Sequence, residues 1–192
     1  AMPTDQLGAL LRTFLDRSGA PAAGCATIAV DGAAVVEVAG VTTRKGGERV
    51  RIADRWHIGS CTKSLTAALY ARLAERGDAR WGATIAELFP DLDGELDPAW
   101  SDVTIDELLL CRAGVGPDLP RTAMEAAWDD ERAATEQRTS AVQDALSPAP
   151  YGRGRFTYSN LSYVVVGAAI DRLAGAPYEQ ALVDHVLVPL GV

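Results

Sequence analysis

The chain has 192 residues, 48% of them hydrophobic and 23% charged, which is enough apolar material for one large domain or two small ones. Its net charge of -8 argues against nucleic acid and anionic lipid as partners, since both would repel it. No apolar run reaches the ~18 residues of a membrane span, and the first residues lack the basic-then-apolar pattern of a signal peptide, which favours a cytoplasmic protein, or a secreted or periplasmic one if a signal has been removed.

The spacing of Leu7, Leu10, Leu11 and Leu15 predicts a helix from Thr4 to about Arg17, stopped by Ser18-Gly19-Ala20-Pro21. Residues 24–30 and 33–40 read as two strands joined by a two-residue hairpin turn at Asp31-Gly32. A polar, glycine-bearing stretch at 43–51, a loop or a frayed strand end, and a short extended piece at 55–58 lead to a helix that starts at Ser60 and ends near Gly77. Leu65, Ala68, Leu69 and Leu73 give this helix an apolar stripe, so it is expected to be central to the fold.

Beyond residue 78 the composition shifts. Residues 84–90 read as a short helical turn before a proline, and 91–102 as an acidic, solvated loop. Thr104 and Glu107 form a capping box for a helix from Ile105 to Cys111. Residues 118–147 are polar and alanine-rich, which suggests one or two surface helices. The turn-rich loop 148–155 delivers Phe156-Thr157-Tyr158-Ser159-Asn160, followed by an apolar helix from Leu161 to Ala174 and a last helix from Tyr178 to about Val186. This organisation divides the chain into 1–78 and 79–192.

Cys25, Cys61 and Cys111 have no C-x-x-C spacing and read as small packed hydrophobes. With His57 and His185 as the two histidines and no H-E-x-x-H pattern, neither a metal nor another cofactor is expected. Trp56, Trp81, Trp100 and Trp128 read as packing residues.

The chemistry points to Ser60-Cys61-Thr62-Lys63. A serine three residues before a lysine at a helix start puts both side chains on one face, a turn apart. The unpaired first-turn N–H groups favour the alkoxide of the serine and the neutral amine of the lysine. A serine hydroxyl needs a base to become a nucleophile, and a lysine can act as one where an arginine cannot. Among 18 basic residues, Lys45 and Lys63 are the two lysines, yet lysine stands here. A capping serine beside a solvated lysine has the same spacing. The residues flanking Ser60 do not form the G-x-S-x-G elbow of an α/β-hydrolase. Tyr158-Ser159-Asn160 forms a second, weaker motif, a phenol and an amide presented after a loop.

Together the motifs resemble the serine β-lactamase and penicillin-binding-protein superfamily, within it the branch of class C β-lactamases, DD-peptidases and esterases. Trp56-His57-Ile58-Gly59-Ser60-Cys61-Thr62-Lys63 is similar to that branch's F-x-I-G-S-x-T-K stretch. Residues 103–109 with Gly114-Val115 resemble its I-T-I-R-H-L-L-T-H-T-S-G-L helix. Gly154 to Tyr163 resembles G-x-x-F-x-Y-S-N-x-x-Y, and Pro189-Leu190-Gly191-Val192 resembles P-L-G-M. The histidines usual near 105–113 are replaced by Glu107 and by Cys111-Arg112-Ala113.

The resemblance implies an α+β, β-lactamase/transpeptidase-like fold, a mostly helical subdomain beside an incomplete antiparallel sheet. Residues 1–78 would be the N-terminal part of the α/β subdomain with the nucleophile helix, and 79–192 the helical subdomain with the Tyr-x-Asn motif. It implies a serine hydrolase that cleaves amide or ester bonds through an acyl-enzyme, acting on a small-molecule or peptide substrate of the esterase, D-amino-acid peptidase or β-lactamase type. The bias is toward esterase or peptidase. Ser60 would be the nucleophile, with Lys63 and Tyr158 sharing the proton handling and either of them the base. Asn160 would hydrogen-bond the substrate amide and hold Lys63, and the Ser60 N–H would form half of an oxyanion hole. The family's third motif, Lys/His-x-Gly on a sheet strand, has no counterpart here, so the residues are expected to be the N-terminal part of a larger enzyme. The other reading is a penicillin-binding or sensor-like module acylated without turnover, or an inactive fragment. A two-stranded hairpin is marginal alone, so an exposed sheet edge is expected at 24–40, or pairing with a second copy or with the missing segment.

Overall fold

The structure, a computed structural model, describes residues 4–92 and 94–192, with side chains described from Gln6 onward. Asp93, within the acidic run expected to be a loop, lies outside the described residues. Contacts group the chain into two units, which divide between His57 and Ile58. The reason is physical: the helix after Ser60 buries Leu69, Tyr70 and Leu73 in the same core as the helices that follow it, so it belongs with them.

In the first unit, helix α1 (Thr4–Ser18) packs on an antiparallel pair, β1 (Ala22–Ile28) and β2 (Ala34–Gly40). Leu7 and Leu11 are its buried contacts, whereas Leu10 and Phe14 point to solvent. The register pairs Cys25 with Glu37 and Ile28 with Ala34. The hairpin tip is longer than the two-residue turn expected. The Ala29 N–H bonds the Ala33 carbonyl, which leaves Val30-Asp31-Gly32 as a three-residue tip. Gly32 takes φ +84, and the Asp31 carboxylate accepts from the Ala33 N–H. A left-handed glycine after a type I turn is a standard way to close a three-residue hairpin. The sheet has these two strands among the described residues, so each keeps an unpaired edge. Ile28 and Val36 are exposed on it.

In the second unit, Ser60 sits on a single 3-10 turn, Gly59–Cys61, that runs into α2 (Thr62–Arg76). α3 (Ile85–Leu88) and α4 (Ile105–Leu109) each start at a full capping box, Thr84 with Glu87 and Thr104 with Glu107. The two caps lie side by side, since Thr84 and Thr104 form an isolated antiparallel bridge. The second box matches the sequence expectation. α5 (Arg121–Trp128) buries none of its residues. α6 (Ala134–Leu146) is not the surface helix expected, because Ala141, Val142, Ala145 and Leu146 enter the core.

The centre of this unit is α7 (Asn160–Ala174), not α2. α7 touches α2, α4, α6 and α8 (Tyr178–Leu182) and buries Leu161, Val165, Val166, Ala168, Ala169 and Ile170. A helix that is apolar on most of its surface belongs inside. α2 instead buries one face, Thr66, Leu69, Tyr70 and Leu73, and leaves Ala68 exposed. A π-helical stretch at Val183–Leu187 and a 3-10 turn at Val188–Leu190 follow α8.

Candidate active site

Ser60, Lys63, Tyr158 and Asn160 come together, although 98 residues separate the first tyrosine–serine pair. The Tyr158 hydroxyl donates to Ser60 Oγ at 2.6 Å, and Lys63 Nζ approaches the same oxygen at 3.4 Å. Lys63 Nζ donates to Asn160 Oδ1 at 2.6 Å and lies over the faces of the Tyr158 and Tyr163 rings. Ser60 and Tyr158 are open to solvent, as a reacting pair must be, while Lys63 is half-buried.

Local structure explains this convergence. Ser60 and Lys63 are a turn apart at the start of α2, so both point the same way. Ser159 caps α7 through its buried hydroxyl, which accepts from the Ser162 N–H at 2.8 Å and donates to the Gly116 carbonyl at 2.6 Å. The cap fixes Tyr158 just before α7 and Asn160 as its first residue. The segment that carries Tyr158 is in turn laced to residues 111–117. The Tyr151, Gly154 and Thr157 N–H groups bond the carbonyls of Gly114, Arg112 and Cys111, and the Asn160 N–H bonds that of Pro117. Cys111 is the non-glycine residue with positive φ among those described, +53. Gly114, at φ +87, is a position where a Cβ would meet the Tyr151 backbone at 3.0 Å.

Arg153 ties the same loop to the start of α4. It reaches both oxygens of Glu107, at 2.7 and 2.9 Å, and Asp102 at 2.7 Å. Its hydrogen bonds hold the Glu107 carboxyl below the usual range, against the opposing effect of burial. Tyr163 donates to the Leu109 carbonyl at 2.9 Å, and burial raises its phenol.

Tyr158 moves the other way. Hydrogen bonding toward Lys63 is the first cause that lowers its phenol, and the bond with Ser60 the second. The arrangement can therefore move a proton between Ser60 Oγ, a phenol with a depressed pKa and an amine, which is the requirement for making a nucleophile of a serine.

Sequence reading missed Asp118, whose carboxylate accepts from Asn160 Nδ2 at 2.8 Å. It lies in a loop 42 residues from Asn160, where no periodicity marks it. Cys61, expected to pack, is exposed beside Ser60, whereas Cys111 is buried. Of the tryptophans, Trp100 is buried with its indole N–H on the Pro148 carbonyl, and Trp81 stands edge-on to Tyr70. Trp128 is exposed and packs no core.

This is the architecture of a β-lactamase/transpeptidase-like protein, a helical unit with a serine–lysine helix start and a tyrosine–asparagine cap, together with a two-stranded antiparallel sheet. The β-lactamase family profile matches residues 7–192. The chain belongs to that family, and so to the superfamily of serine β-lactamases and penicillin-binding proteins. Penicillin-binding protein 4 of Amycolatopsis lactamdurans is 27% identical over 163 residues, 85% of this chain and 41% of that protein. Protein flp of Staphylococcus aureus (strain MW2) is 25% identical over 136 residues, 71% of this chain and 26% of its own length. The crystal structure of SurE with D-Leu superposes at a TM-score of 0.75 with 28% identity, covering 98% of this chain and 40% of SurE. The chain thus spans less than half the length of these relatives.

Proposed function

We propose that the chain carries the acylating centre of a serine hydrolase of amide or ester bonds. The observation that carries this reading is the pair of contacts on Ser60 Oγ, 2.6 Å to the Tyr158 hydroxyl and 3.4 Å to Lys63 Nζ. Ser60 attacks the substrate carbonyl, its proton passes to the Tyr158–Lys63 pair, and the acyl group stays on Ser60 until water releases it. The same pair gives the proton to the leaving group and later takes one from the water. Which of the two accepts the first proton is a property of the coupled pair. The Ser60 N–H supplies one oxyanion donor, and Asn160 holds Lys63 and binds the substrate amide.

A substrate with a D-configured residue next to the scissile carbonyl is favoured, because SurE, similar over nearly the whole chain, has been crystallised with D-Leu. Pairing of the free sheet edges with further strands, or with a second copy, belongs to the same proposal.

Intact mass spectrometry after incubation with benzylpenicillin and with a D-leucine p-nitrophenyl ester tests it. The expected result is an adduct of one acyl group that is absent in Ser60→Ala. Rapid loss of the ester adduct marks a hydrolase, and a lasting penicillin adduct marks a module that is acylated without turnover. No adduct with either probe, in protein that is folded, overturns the reading.

A further inference from the structure

We infer that Asp118 is a positioning residue for this centre, acting through Asn160; the inference rests on the reading of Ser60 as an acylated nucleophile. Three successive loop residues, Gly116, Pro117 and Asp118, lie against the start of α7. The Gly116 carbonyl takes the Ser159 hydroxyl at 2.6 Å, the Pro117 carbonyl takes the Asn160 N–H at 2.8 Å, and the Asp118 carboxylate takes Asn160 Nδ2 at 2.8 Å. On the other side of the same amide, Lys63 Nζ donates to Oδ1 at 2.6 Å.

An amide can face two ways, and its orientation follows from its partners. Lysine has hydrogens to give and no lone pair, whereas an ionised carboxylate only accepts. Held between the two, the Asn160 amide satisfies both partners in a single orientation, Oδ1 to Lys63 and Nδ2 to Asp118. The carboxylate also draws positive charge onto Nδ2 and leaves Oδ1 more negative, which tightens its hold on the ammonium. Lys63 is thereby kept within reach of Ser60 and over the Tyr158 ring. Asp118 is exposed and makes no other side-chain hydrogen bond among those described, so its geometry serves this one contact.

The test is a double-mutant cycle on the second-order rate of Ser60 acylation, read with a fluorescent penicillin and with a D-leucine p-nitrophenyl ester. Asp118→Ala is expected to slow acylation roughly tenfold, the loss of one charge-assisted hydrogen bond. Asp118→Asn keeps an acceptor oxygen but loses the charge, and is expected to recover part of that loss. In an Asn160→Ala background, Asp118→Ala is expected to have no further effect. A melting temperature within error of the unsubstituted protein shows that Asp118→Ala folds. Acylation at the unsubstituted rate in Asp118→Ala overturns the inference. So do losses that multiply in the double variant, because Asp118 would then act independently of Asn160. If the unsubstituted protein is not acylated at all, the acyl-enzyme reading fails first, and this inference falls with it.

Discussion

The ammonium of Lys63 lies 4.7 Å from the centroid of the Tyr158 ring, so the cation that depresses the phenol also sits on its face. A phenol lowered by a neighbouring cation ionises at a pH below the ordinary value of about 10. Acylation of Ser60 is therefore expected to rise with pH along a limb whose midpoint lies below that value. Lys63→Met removes the cation and moves the phenol back up. An ultraviolet difference titration of Lys63→Met against the unsubstituted protein, each referenced to Tyr158→Phe, reads that shift directly. If Tyr158 is the base, Tyr158→Phe flattens the limb; survival of the limb in that variant assigns the role to Lys63.

Arg153 ties the loop before Tyr158 to the cap of α4, and the tie is pH-dependent. Glu107 has a folded-state pKa below its unfolded value, first through its hydrogen bonds with Arg153. Its contribution is therefore present above the unfolded value of about 4.3 and lost as pH falls through the lower folded value. Arg153→Ala is expected to cost about 1 kcal/mol at neutral pH, since the Arg153 side chain is 34% exposed. It should also flatten the acid limb of stability. Urea melts of the two proteins from neutral pH down to pH 3 check both expectations.

The serine–lysine motif was legible because one helical turn fixes its spacing, whereas the tyrosine–asparagine triplet, weak by itself, was legible through its resemblance to the family's segment, and the Ser159 cap that positions it was not read. The Thr104–Glu107 capping box, like the serine–lysine pair, was legible because its spacing is short-range. The equivalent box at Thr84 and Glu87 carries the same pattern but was hidden in a helix of four residues, too short to show periodicity. The leucine stripe of α2 correctly marked a face that enters the core, but a stripe tells which face is buried and not how many neighbours surround a helix, so it did not show that α7 has more of them. α6 was misjudged because half of its buried face is alanine and only Val142 and Leu146 supply larger apolar side chains to it. Asp118 could not be found from the sequence, since a loop carboxylate acquires its role from a partner 42 residues away.

Gly114 is a position where the backbone itself is demanding. It combines φ +87 with a Cβ site 3.0 Å from the Tyr151 nitrogen and 3.1 Å from its oxygen. Gly114→Ala is expected to destabilise the protein by about 2 kcal/mol through strain and crowding. Because the displaced strand of chain leads to Tyr158, acylation should fall as well. Gly116→Ala is the control, since a Cβ there meets nothing within 4 Å. It should leave the denaturation midpoint close to that of the unsubstituted protein.

Arg138 on α6 binds Asp171 of α7 through two hydrogen bonds, 2.7 and 2.9 Å, and reaches Glu179 of α8 at 2.7 Å. Its side chain is 15% exposed and that of Asp171 11%, so solvent screens the pair weakly. Asp171 also accepts the Tyr178 N–H at 2.6 Å, which anchors the first residue of α8. Removal of the arginine alone strands a carboxylate at the junction of three helices, a situation that costs about 3 kcal/mol or more. Arg138→Met keeps the aliphatic stem and loses the charge, so its loss of stability isolates the ionic part. Arg138→Met combined with Asp171→Asn leaves only the solvent-exposed carboxylate of Glu179 without its partner and is expected to recover part of that loss. Denaturant midpoints decide the matter: midpoints of both variants equal to that of the unsubstituted protein would show that packing of the stem, and not the ion pair, holds α6, α7 and α8 together.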